Sequence, residues 1–371
     1  MRKSWTETTL GDVADYINGY PFKPGDLGEE GTAVIRIKQL LDPMEKVDRT
    51  IANVPERCIL RDGDIVFSWS GTLAVRVWNR GPAYLNQHLF RVVEKSGVSH
   101  EWLPLIIENA IEGLAEKSHG TTMKHITKQT LLPHQVFLPP LEEQKRIVDV
   151  VSSVDAYIDA LQQQADTVRT ARNAVLYELL SAGRDDWTEK TPNVKRVEDF
   201  AFLKRGHDLP TQSRVDGIYP VVASNGSVGY HDECIGPIPG VVTGRSGTIG
   251  KVMYLENGYW PLNTTLYVTD FMGNNEKFVA LTFEIMRLET FAGGTTVPSL
   301  DRKVIKSELV YAPSVEEQKR IVEIVSSMDD VVQSTEQAVE DAKNLRSGLL
   351  SDLLSGEHEI PASYDVFVGA A

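Results

Sequence analysis

Apolar residues recur alternately four and three positions apart along two stretches of the chain. They are Ile147, Val151, Val154, Ile158 and Leu161 in the first stretch, and Ile321, Val325, Met328 and Val332 in the second. This spacing places them on one narrow stripe of an α-helix, which is typical of a helix that pairs with another helix. At 1.5 Å per residue, a helix over residues 142–180 would be roughly 58 Å long.

The two stretches are copies of one segment. Leu141 to Asp155 and Val315 to Asp329 share the run Glu-Glu-Gln-Lys-Arg-Ile-Val, and the helical spacing continues beyond it in both copies. A copied segment of this length indicates that the chain is built twice. Since a narrow apolar stripe needs a partner helix of the same kind, the obvious partner of each helix is the other copy.

An arginine interrupts the apolar stripe at the same place in each copy, as Arg172 and Arg346. One interpretation is a contact that fixes the register of the helices or binds a partner. The other is an arginine where the helices splay apart, with its stem packed and its charged head in water. From the sequence we favour the second interpretation.

The runs Glu143-Gln144-Lys145 and Glu317-Gln318-Lys319 match the carboxylate-x-lysine part of a nuclease site. On a helix, however, residues two apart point away from each other. No suitably placed Pro-Asp pair accompanies either run. We therefore predict that both runs form a solvated helix face.

Short apolar runs outside these stretches predict strands. Ala33 to Ile37, Asp64 to Ser68 and His88 to Val93 are rich in β-branched residues, whereas residues 100–117 have helical spacing. Residues 187–313 repeat this plan loosely, because three pairs of turns recur in the same order. The pairs are Ser70-Gly71-Thr72 with Ser246-Gly247-Thr248, Leu85-Asn86 with Leu262-Asn263, and Gly120-Thr121-Thr122 with Gly294-Thr295-Thr296.

The predicted fold class is α/β (α+β), with two similar globular domains, two long coiled-coil helices and an internal repeat. The predicted segments are a first domain at 1–140, a central helix at 141–183, a second domain at 184–313, a second helix at 314–356 and a tail at 357–371. The side chains between the recurring turns hardly match. Because binding residues usually lie on loops, two like domains with different loops are suited to binding two different targets.

The charge distribution limits where a nucleic acid could bind. The chain has 371 residues and a net charge of −14, and nearly all of the excess acid lies on the two helical segments and the tail. Both globular segments are close to neutral, so each can carry one basic face. An acidic helix would instead repel phosphates or meet another protein.

Composition also indicates the cellular compartment. No apolar run is long enough to cross a membrane, and the first residues lack the apolar core of a signal peptide. The two cysteines, Cys58 and Cys234, are far apart, which argues against a disulfide framework or a zinc site. We therefore expect a cytoplasmic protein without a metal site.

Motifs of the common nucleotide-dependent and methyl-transfer enzymes are missing. The sequence has no glycine-rich cofactor loop after a strand, no Asn-Pro-Pro-aromatic motif and no phosphate-binding loop. The run Gly244-Arg245-Ser246-Gly247-Thr248 lacks the second glycine of a nucleophile elbow, so it predicts a tight turn. Its amides could hold a phosphate, and Arg245 could bind a phosphate or a guanine edge. The matching turn of the first domain carries Trp69 instead, and no catalytic residue is predicted.

The run Pro-Pro-Leu-Glu-Glu-Gln-Lys-Arg-Ile-Val at 139–148 and its repeat at 313–322 resemble the conserved regions of the specificity subunit of type I restriction-modification enzymes. The resemblance covers nearly the whole chain, as variable domain, long helix, variable domain and long helix. It implies a non-catalytic subunit whose two target recognition domains each read one half of a split DNA site.

The resemblance also implies partners. In the family, the helices pack antiparallel as a spacer and dock two modification subunits, which bind S-adenosylmethionine and methylate adenine. Restriction subunits, which use ATP and Mg²⁺, then allow cleavage of unmodified DNA. A short piece at Met1 to Thr9 and a tail at Glu357 to Ala371 would complete the pseudo-twofold arrangement. No cofactor is expected in this chain itself.

Candidate DNA-binding residues are side chains that can pair with base edges or phosphates. In the first domain they are Arg36, Lys38, Trp69, Arg76, Asn86, Gln87, His88 and Lys124, and in the second they are Arg205, Asn225, Arg245, Lys251, Asn263 and Arg302. A plain surface role is the alternative for each of them alone. For the whole chain, the alternative is a coiled-coil scaffold with two α/β domains that bind proteins or small ligands, which the acidic composition favours.

Overall fold

A computed structural model describes residues 5–116, 126–181, 184–293, 298–357, 360–361 and 363–365. The chain divides into two compact units. The first unit comprises Met1–Ala160 and Val339–Ala371, and the second comprises Leu161–Ala338. Among the described residues, no helix is long and apolar enough to cross a membrane.

The first unit combines small, mainly antiparallel sheets with one long and several short helices. Its elements are β1 (Thr6–Thr9), α1 (Leu10–Val13), β2 (Ala14–Asn18), β3 (Thr32–Ile35), α2 (Ile37–Leu41), β4 (Asp48–Thr50), β5 (Ile59–Leu60), β6 (Ile65–Ser68), β7 (Ala74–Val77), β8 (Ala83–Leu85), β9 (Leu89–Glu94), α3 (Trp102–Glu116), α4 (Lys128–Leu131), β10 (Gln135–Leu138) and α5 (Leu141–Ser181), which continues into the second unit. The sheets have the orders β2-β9-β6-β7, β4-β3-β8-β5 and β1-β10. Among the described strands of these sheets, β3 and β8 pair in parallel and the other neighbours pair antiparallel.

The second unit repeats this plan. Its elements are β11 (Val194–Arg196), α6 (Val197–Phe200), β12 (Phe202–Arg205), β13 (Tyr219–Ala223), β14 (Gly226–His231), β15 (Gly240–Gly244), β16 (Val252–Leu255), β17 (Trp260–Pro261), β18 (Thr265–Asp270), α7 (Glu276–Ile285), α8 (Arg302–Ile305), β19 (Leu309–Tyr311) and α9 (Val315–Leu354), which continues into the first unit. The order β12-β18-β15-β16 matches β2-β9-β6-β7, and β13 and β17 pair in parallel as β3 and β8 do. The predicted mixed fold with an internal repeat and two long helices is confirmed.

Each domain core is a helix packed on its larger sheet. In the first unit, Trp102 and Ile107 of α3 are fully buried in one cluster with Phe67 and Phe90 of the sheet. In the second unit, the cluster contains four residues of α7 that are fully or almost fully buried, Phe278, Val279, Leu281 and Phe283. Apolar residues on one face of each helix thus hold the helix against the sheet, because burying them removes their area from water.

The first positions of the predicted helix stripe in each copy lie in these cores. In the first unit, Ile147 and Val151 pack in the cluster that contains Leu350 and Leu353, from the far end of the other copy. In the second unit, Ile321 and Val325 share the cluster of Leu176 and Leu180. Ile158 is also buried, and Val154, Leu161, Met328 and Val332 are half-buried. In each unit the start of one helix therefore packs beside the end of the other, which is an antiparallel pairing.

The prediction that Arg172 and Arg346 hold their charged heads in water is wrong. In the second unit, Arg172 donates from Nε to Asp329 at 2.8 Å and from both terminal nitrogens to Glu284 of α7. Its side chain is only 10% exposed. Despite the opposing effect of burial, the hydrogen bonds and charges of Glu284 and Asp329 raise the pKa of Arg172. The arginine therefore joins both long helices to the helix of the second domain.

The first unit contains the same arrangement with the roles of the helix copies exchanged. Arg346 donates to Asp155 from Nε and from its terminal nitrogen, and to Glu108 of α3 at 2.9 and 3.2 Å. The hydrogen bond with Asp155 is the main cause that raises the pKa of Arg346. Asp155 and Asp329 stand at equivalent places in the repeat. Each arginine of one copy thus pairs with the aspartate of the other.

The prediction of a solvated face at Glu143-Gln144-Lys145 and Glu317-Gln318-Lys319 is wrong for three of these residues. Gln144 and Gln318 are fully buried, and Glu143 is 6% exposed. Both Trp5 and Glu143 are buried, and the Trp5 indole donates to the Glu143 carboxylate at 2.8 Å. Lys145 and Lys319 are exposed as expected. The glutamines lie where each domain meets its helix, and their amides bind backbone groups there.

The pair formed by His100 and Glu94 in the first unit should make the free energy of unfolding depend on pH. His100 Nδ1 lies 3.1 Å from Glu94, and its Nε2 lies 2.8 Å from the carbonyl of Gly63. Burial opposes protonation, but the bonds to Glu94 and Gly63 leave the pKa of His100 above its ordinary value of 6.5. The folded state thus binds the proton more tightly, so the pair stabilises the fold below about pH 6.5. This contribution is lost as the pH rises through the raised pKa.

We expect the wild-type protein to exceed His100→Gln in free energy of unfolding near pH 6, and this advantage to shrink towards pH 8. The pKa of Glu94 is lowered, so Glu94 stays ionised in this pH range. The stabilisation by the pair is therefore lost on the acid side only at a lower pH, where Glu94 protonates. Denaturant unfolding at a series of pH values measures the difference. A difference that is constant between pH 6 and pH 8 would contradict the assignment.

Candidate nucleic-acid interface

One turn occupies the same place in both domains. It follows β6 in the first domain and β15 in the second, and its variable residue is Trp69 or Arg245. The carbonyl of Trp69 accepts from the amide of Ile126 at 2.9 Å, and that of Arg245 accepts from the amide of Leu300 at 2.8 Å. Ile126 and Leu300 are fully buried. Each turn is therefore anchored to its domain core at the residue that differs.

Glycine explains why the turn keeps its shape while its side chains vary. Gly71 and Gly247 follow the serine of each turn and have φ angles of 66° and 82°. These angles lie in the left-handed region, which other residues rarely adopt. The Ser-Gly-Thr run thus fixes the backbone and leaves the residue before it free to change.

In the second domain this turn borders a basic cleft. The cleft has a volume of about 510 Å³ and is lined by Lys204, Arg205, Arg245, Leu266, Ser299, Leu300, Asp301 and Arg302. Three of the six predicted DNA-binding residues of this domain are brought together here. Four cations face one carboxylate, so the cleft attracts anionic groups.

Two of these arginines are held by neighbours. Arg302 donates to the carbonyl of Leu203 at 3.1 Å and lies 5.7 Å from the ring centre of Phe202. Arg205 donates to the carbonyl of Asn263 at 3.4 Å. The guanidinium of Arg245, in contrast, forms no hydrogen bond or ion pair with other residues in the described part of the chain. Its donors are available to a ligand.

The remaining candidates of the second domain lie outside the cleft lining. Asn263 donates to the carboxylate of Asp208 and is half-buried. Lys251 donates to the carbonyl of Asn225 at 2.8 Å, and both residues are exposed. These two form a second polar contact, after β13 and before β16.

In the first domain the equivalent place is aromatic. The ring of Trp69 stacks on Phe90, with 5.5 Å between ring centres, and lies 5.9 Å from the ring of His88. The Nδ1 of His88 is 3.2 Å from the hydroxyl of Ser70, and its Nε2 is 3.5 Å from the amide nitrogen of Gln87. Gln87 and His88 are exposed. The structure thus brings three predicted residues together on a platform that offers a flat face and polar edges.

Asn86 belongs to the turn beneath this platform. It is 6% exposed, and its side-chain oxygen accepts from the amide of His88 at 3.3 Å. A Cβ on Gly19 would lie 2.2 Å from the carbonyl oxygen of Asn86, so the two backbones pack closely. Asn86 therefore shapes the turn that presents Gln87 and His88.

The other predicted residues of the first domain have separate surroundings. Arg36 forms an ion pair with Asp48 at 3.1 Å. Lys38 is exposed on α2, and Arg76 is exposed on β7, where it donates to the carbonyl of Val75. Lys124 lies outside the described residues, as do the predicted turns at 120–122 and 294–296.

Sequence reasoning missed Lys128 and Lys204. Lys128 donates to the carbonyl of Tyr16 at 2.6 Å and lies 5.2 Å from the ring centre of Phe90. Arg302 makes the same kinds of contact in the second domain. Both residues stand equally far before the two long helices, so counting back from the helix starts would have paired them. Lys204 precedes Arg205 on β12, where no repeat marks it.

In the part of the chain that the structure describes, no group of three or more His, Cys, Asp or Glu residues is placed to hold a metal ion. Cys58 is buried and Cys234 is partly buried, and both are free thiols.

Comparison with known proteins identifies the family. The type I restriction modification DNA specificity domain family matches residues 2–169 and 189–342, which is most of the chain. The MjaVIII specificity subunit of the type I restriction enzyme of Methanocaldococcus jannaschii is 22% identical over 400 aligned residues, with 96% of this chain and 93% of the relative covered. The EcoBI specificity subunit of Escherichia coli is 25% identical over 205 residues, with 53% of this chain and 43% of the relative covered. The chain thus spans less than half of this second relative.

Solved structures share the fold. The S subunit of a type I restriction-modification system from M. genitalium matches with a TM-score of 0.50 at 16% identity, covering 94% of this chain and 96% of the other. A chain from a structure concerned with complex assembly and conformational transition of the type I R-M system matches with a TM-score of 0.59 at 14% identity, covering 95% and 98%. These likenesses concern the fold. Together with the family match to both halves, they confirm the resemblance seen in the sequence, and the chain belongs to the type I restriction modification DNA specificity domain family.

Proposed function

We propose that this chain is the DNA-reading subunit of a type I restriction-modification complex and that each of its two domains reads one half of a split, asymmetric target. The observation that carries the proposal is the turn of Trp69 and Arg245, which has one backbone and two different side chains. The forked donors of Arg245 and the apolar ring of Trp69 present different groups to base edges, so the two domains suit different base sequences. Double-stranded DNA is the partner that presents both phosphates and base edges.

The long helices have two roles in this proposal. They set the separation between the two half-sites, and they dock two modification subunits. Their acidic surface suits contact with protein better than contact with phosphates. Tyr157 and Val331 stand at equivalent places in the repeat and are 60% and 48% exposed, so two copies of one partner would find apolar contacts at matching places.

The chemistry of the complex lies in its other subunits. The modification subunits would bind S-adenosylmethionine and methylate adenine, and restriction subunits would use ATP and Mg²⁺. This chain would contribute recognition and assembly and no catalytic group. The basic cleft favours this function over a scaffold for proteins, because it adds local positive charge to a chain of net charge −14.

A matched deletion tests the separating role of the helices. Removing residues 161–167 from α5 and 334–340 from α9 takes one heptad from each helix and leaves Arg172, Arg346 and their partners in place. At 1.5 Å per residue, each helix becomes about 10 Å shorter with its stripe in register. We expect both half-sites to keep their sequences while the gap between them shortens.

Methylation of genomic DNA by the assembled complex, mapped base by base, measures this gap. A deletion of one heptad from α5 alone is the control, because it displaces the arginines from their aspartates and should impair folding. An unchanged gap in the matched deletion would remove the separating role from the helices.

A further inference from the structure

The cleft of the second domain contains a pair of residues that matches one base pair. Arg245 is anchored through its carbonyl, which accepts from Leu300, and its guanidinium is free among the described residues. Asp301 follows Leu300 directly and lines the same cleft. The backbone contact of Arg245 with Leu300 therefore brings the two residues to one place.

Asp301 is fixed in direction by its helix. Its Oδ1 accepts from the amide of Lys303 at 2.9 Å and so caps the start of α8. A carboxylate held in this way keeps its second oxygen for another donor. A site for phosphate alone would be weakened by such a carboxylate, since the two anions repel. The mixed charge points to a ligand that has acceptors and a donor side by side.

The major-groove edge of a G·C pair has this pattern. Guanine presents N7 and O6, which accept two hydrogen bonds from one arginine, and the N4 of cytosine donates to a carboxylate. Arg245 supplies the forked donor and Asp301 supplies the acceptor. Lys204 and Arg205 also line the cleft, and phosphate contacts on either side of the base pair suit them.

The first domain differs at both positions. Trp69 replaces Arg245, and Thr127 replaces Asp301 at the equivalent place before the short helix. Thr127 also caps its helix, because its hydroxyl accepts from the amide of Thr130. The capping role is thus kept while the charge is lost. The indole of Trp69 has no forked donor for guanine, and the capping hydroxyl of Thr127 is not a carboxylate that could accept from cytosine.

We propose that Arg245 and Asp301 together read a G·C base pair in the half-site of the second domain, and that Trp69 and Thr127 leave the first domain without this preference. The proposal rests on the proposed function and names the residues that make the two half-sites differ. The backbone of the turn after β15 and the start of α8 hold Arg245 and Asp301 in the cleft. The identities of these two side chains determine which base pair is preferred.

The test is base-resolved methylation by the complete complex with its modification subunits, for wild type and for four variants. Arg245→Ala and Arg245→Lys remove the forked donor, Asp301→Thr installs the cap of the first domain, and Lys204→Gln is a matched control for charge. In the first three we expect the preference for G·C to fall by between about 5-fold and about 150-fold at one position of the second half-site. The first half-site stays unchanged.

Lys204→Gln should lower methylation at all targets alike, because a phosphate contact carries no base preference. Arg245→Lys keeps the charge, so a loss of preference in this variant separates base reading from attraction of phosphates. If all variants keep the wild-type half-site and only lose activity uniformly, the inference is overturned. If wild type itself methylates no split motif, it is the proposed function that fails.

Discussion

Gln144→Met is expected to lower the free energy of unfolding of the first unit by about 3 kcal/mol or more, since each buried backbone group left without a partner costs about 1–3 kcal/mol. The side chain of Gln144 is fully buried. Its Nε2 donates to the carbonyls of Pro139 and Gly97, both at 2.9 Å, and its Oε1 accepts from the amide of Ser99 at 2.7 Å. Methionine keeps the volume of the side chain and removes all three bonds.

Gln318→Met should have a similar effect in the second unit. Gln318 is also fully buried, donates to Pro313 and Asn274, and accepts from the amide of Asn275. Denaturant unfolding of each variant measures the loss. Gln163→Met is the control, because this residue is exposed on α5 and should change stability little. If Gln163→Met and Gln144→Met lower the free energy of unfolding equally, the buried glutamines do not stabilise the contacts between each domain and its long helix.

Arg172→Glu is expected to destabilise the second unit by roughly 2–3 kcal/mol. The new carboxylate would stand beside Glu284 and Asp329, where Arg172 now neutralises both. Breaking a buried ion pair costs about 3–5 kcal/mol, but Glu284 and Asp329 are 45% and 38% exposed, so water screens part of the repulsion. Chemical denaturation measures the change.

The reversed pair Arg172→Glu with Glu284→Arg should recover part of the lost stability, since it restores one ion pair across the same elements. Arg346→Glu should act alike in the first unit, where Asp155 and Glu108 are the partners. Arg169→Glu is the control, because its ion pair with Glu336 is about half exposed on both sides. Equal losses in Arg169→Glu and Arg172→Glu would contradict the role of the buried arginine.

The sequence predicted the long helices and their repeat because a stripe with fixed spacing reports the face that a helix buries. The same stripe led to the wrong prediction of a solvated Arg172. It describes contacts between the two long helices, whereas Glu284, which accepts from Arg172, belongs to a third helix, α7. Gln144 was misplaced for a similar reason. Its partners are backbone groups in loops, which no spacing of side chains marks.

The candidate interface was predicted less completely. Residue types and matching turns led to Arg245 and Trp69, and the cleft then joined Arg205 and Arg302 to Arg245. The contact of Arg245 with Leu300, which brings Asp301 to the cleft, depends on how the chain folds back after α7. Such contacts between distant segments are set by tertiary packing, so a local pattern does not reveal them.

Base-resolved methylation of genomic DNA, in cells that carry this chain with its modification subunits, measures directly whether this chain reads DNA. We predict a split motif with modified adenine in each half, a fixed gap between the halves, and a G·C pair in one half that depends on Arg245. No new methylation by a complex shown to assemble would contradict the claim that this chain reads DNA.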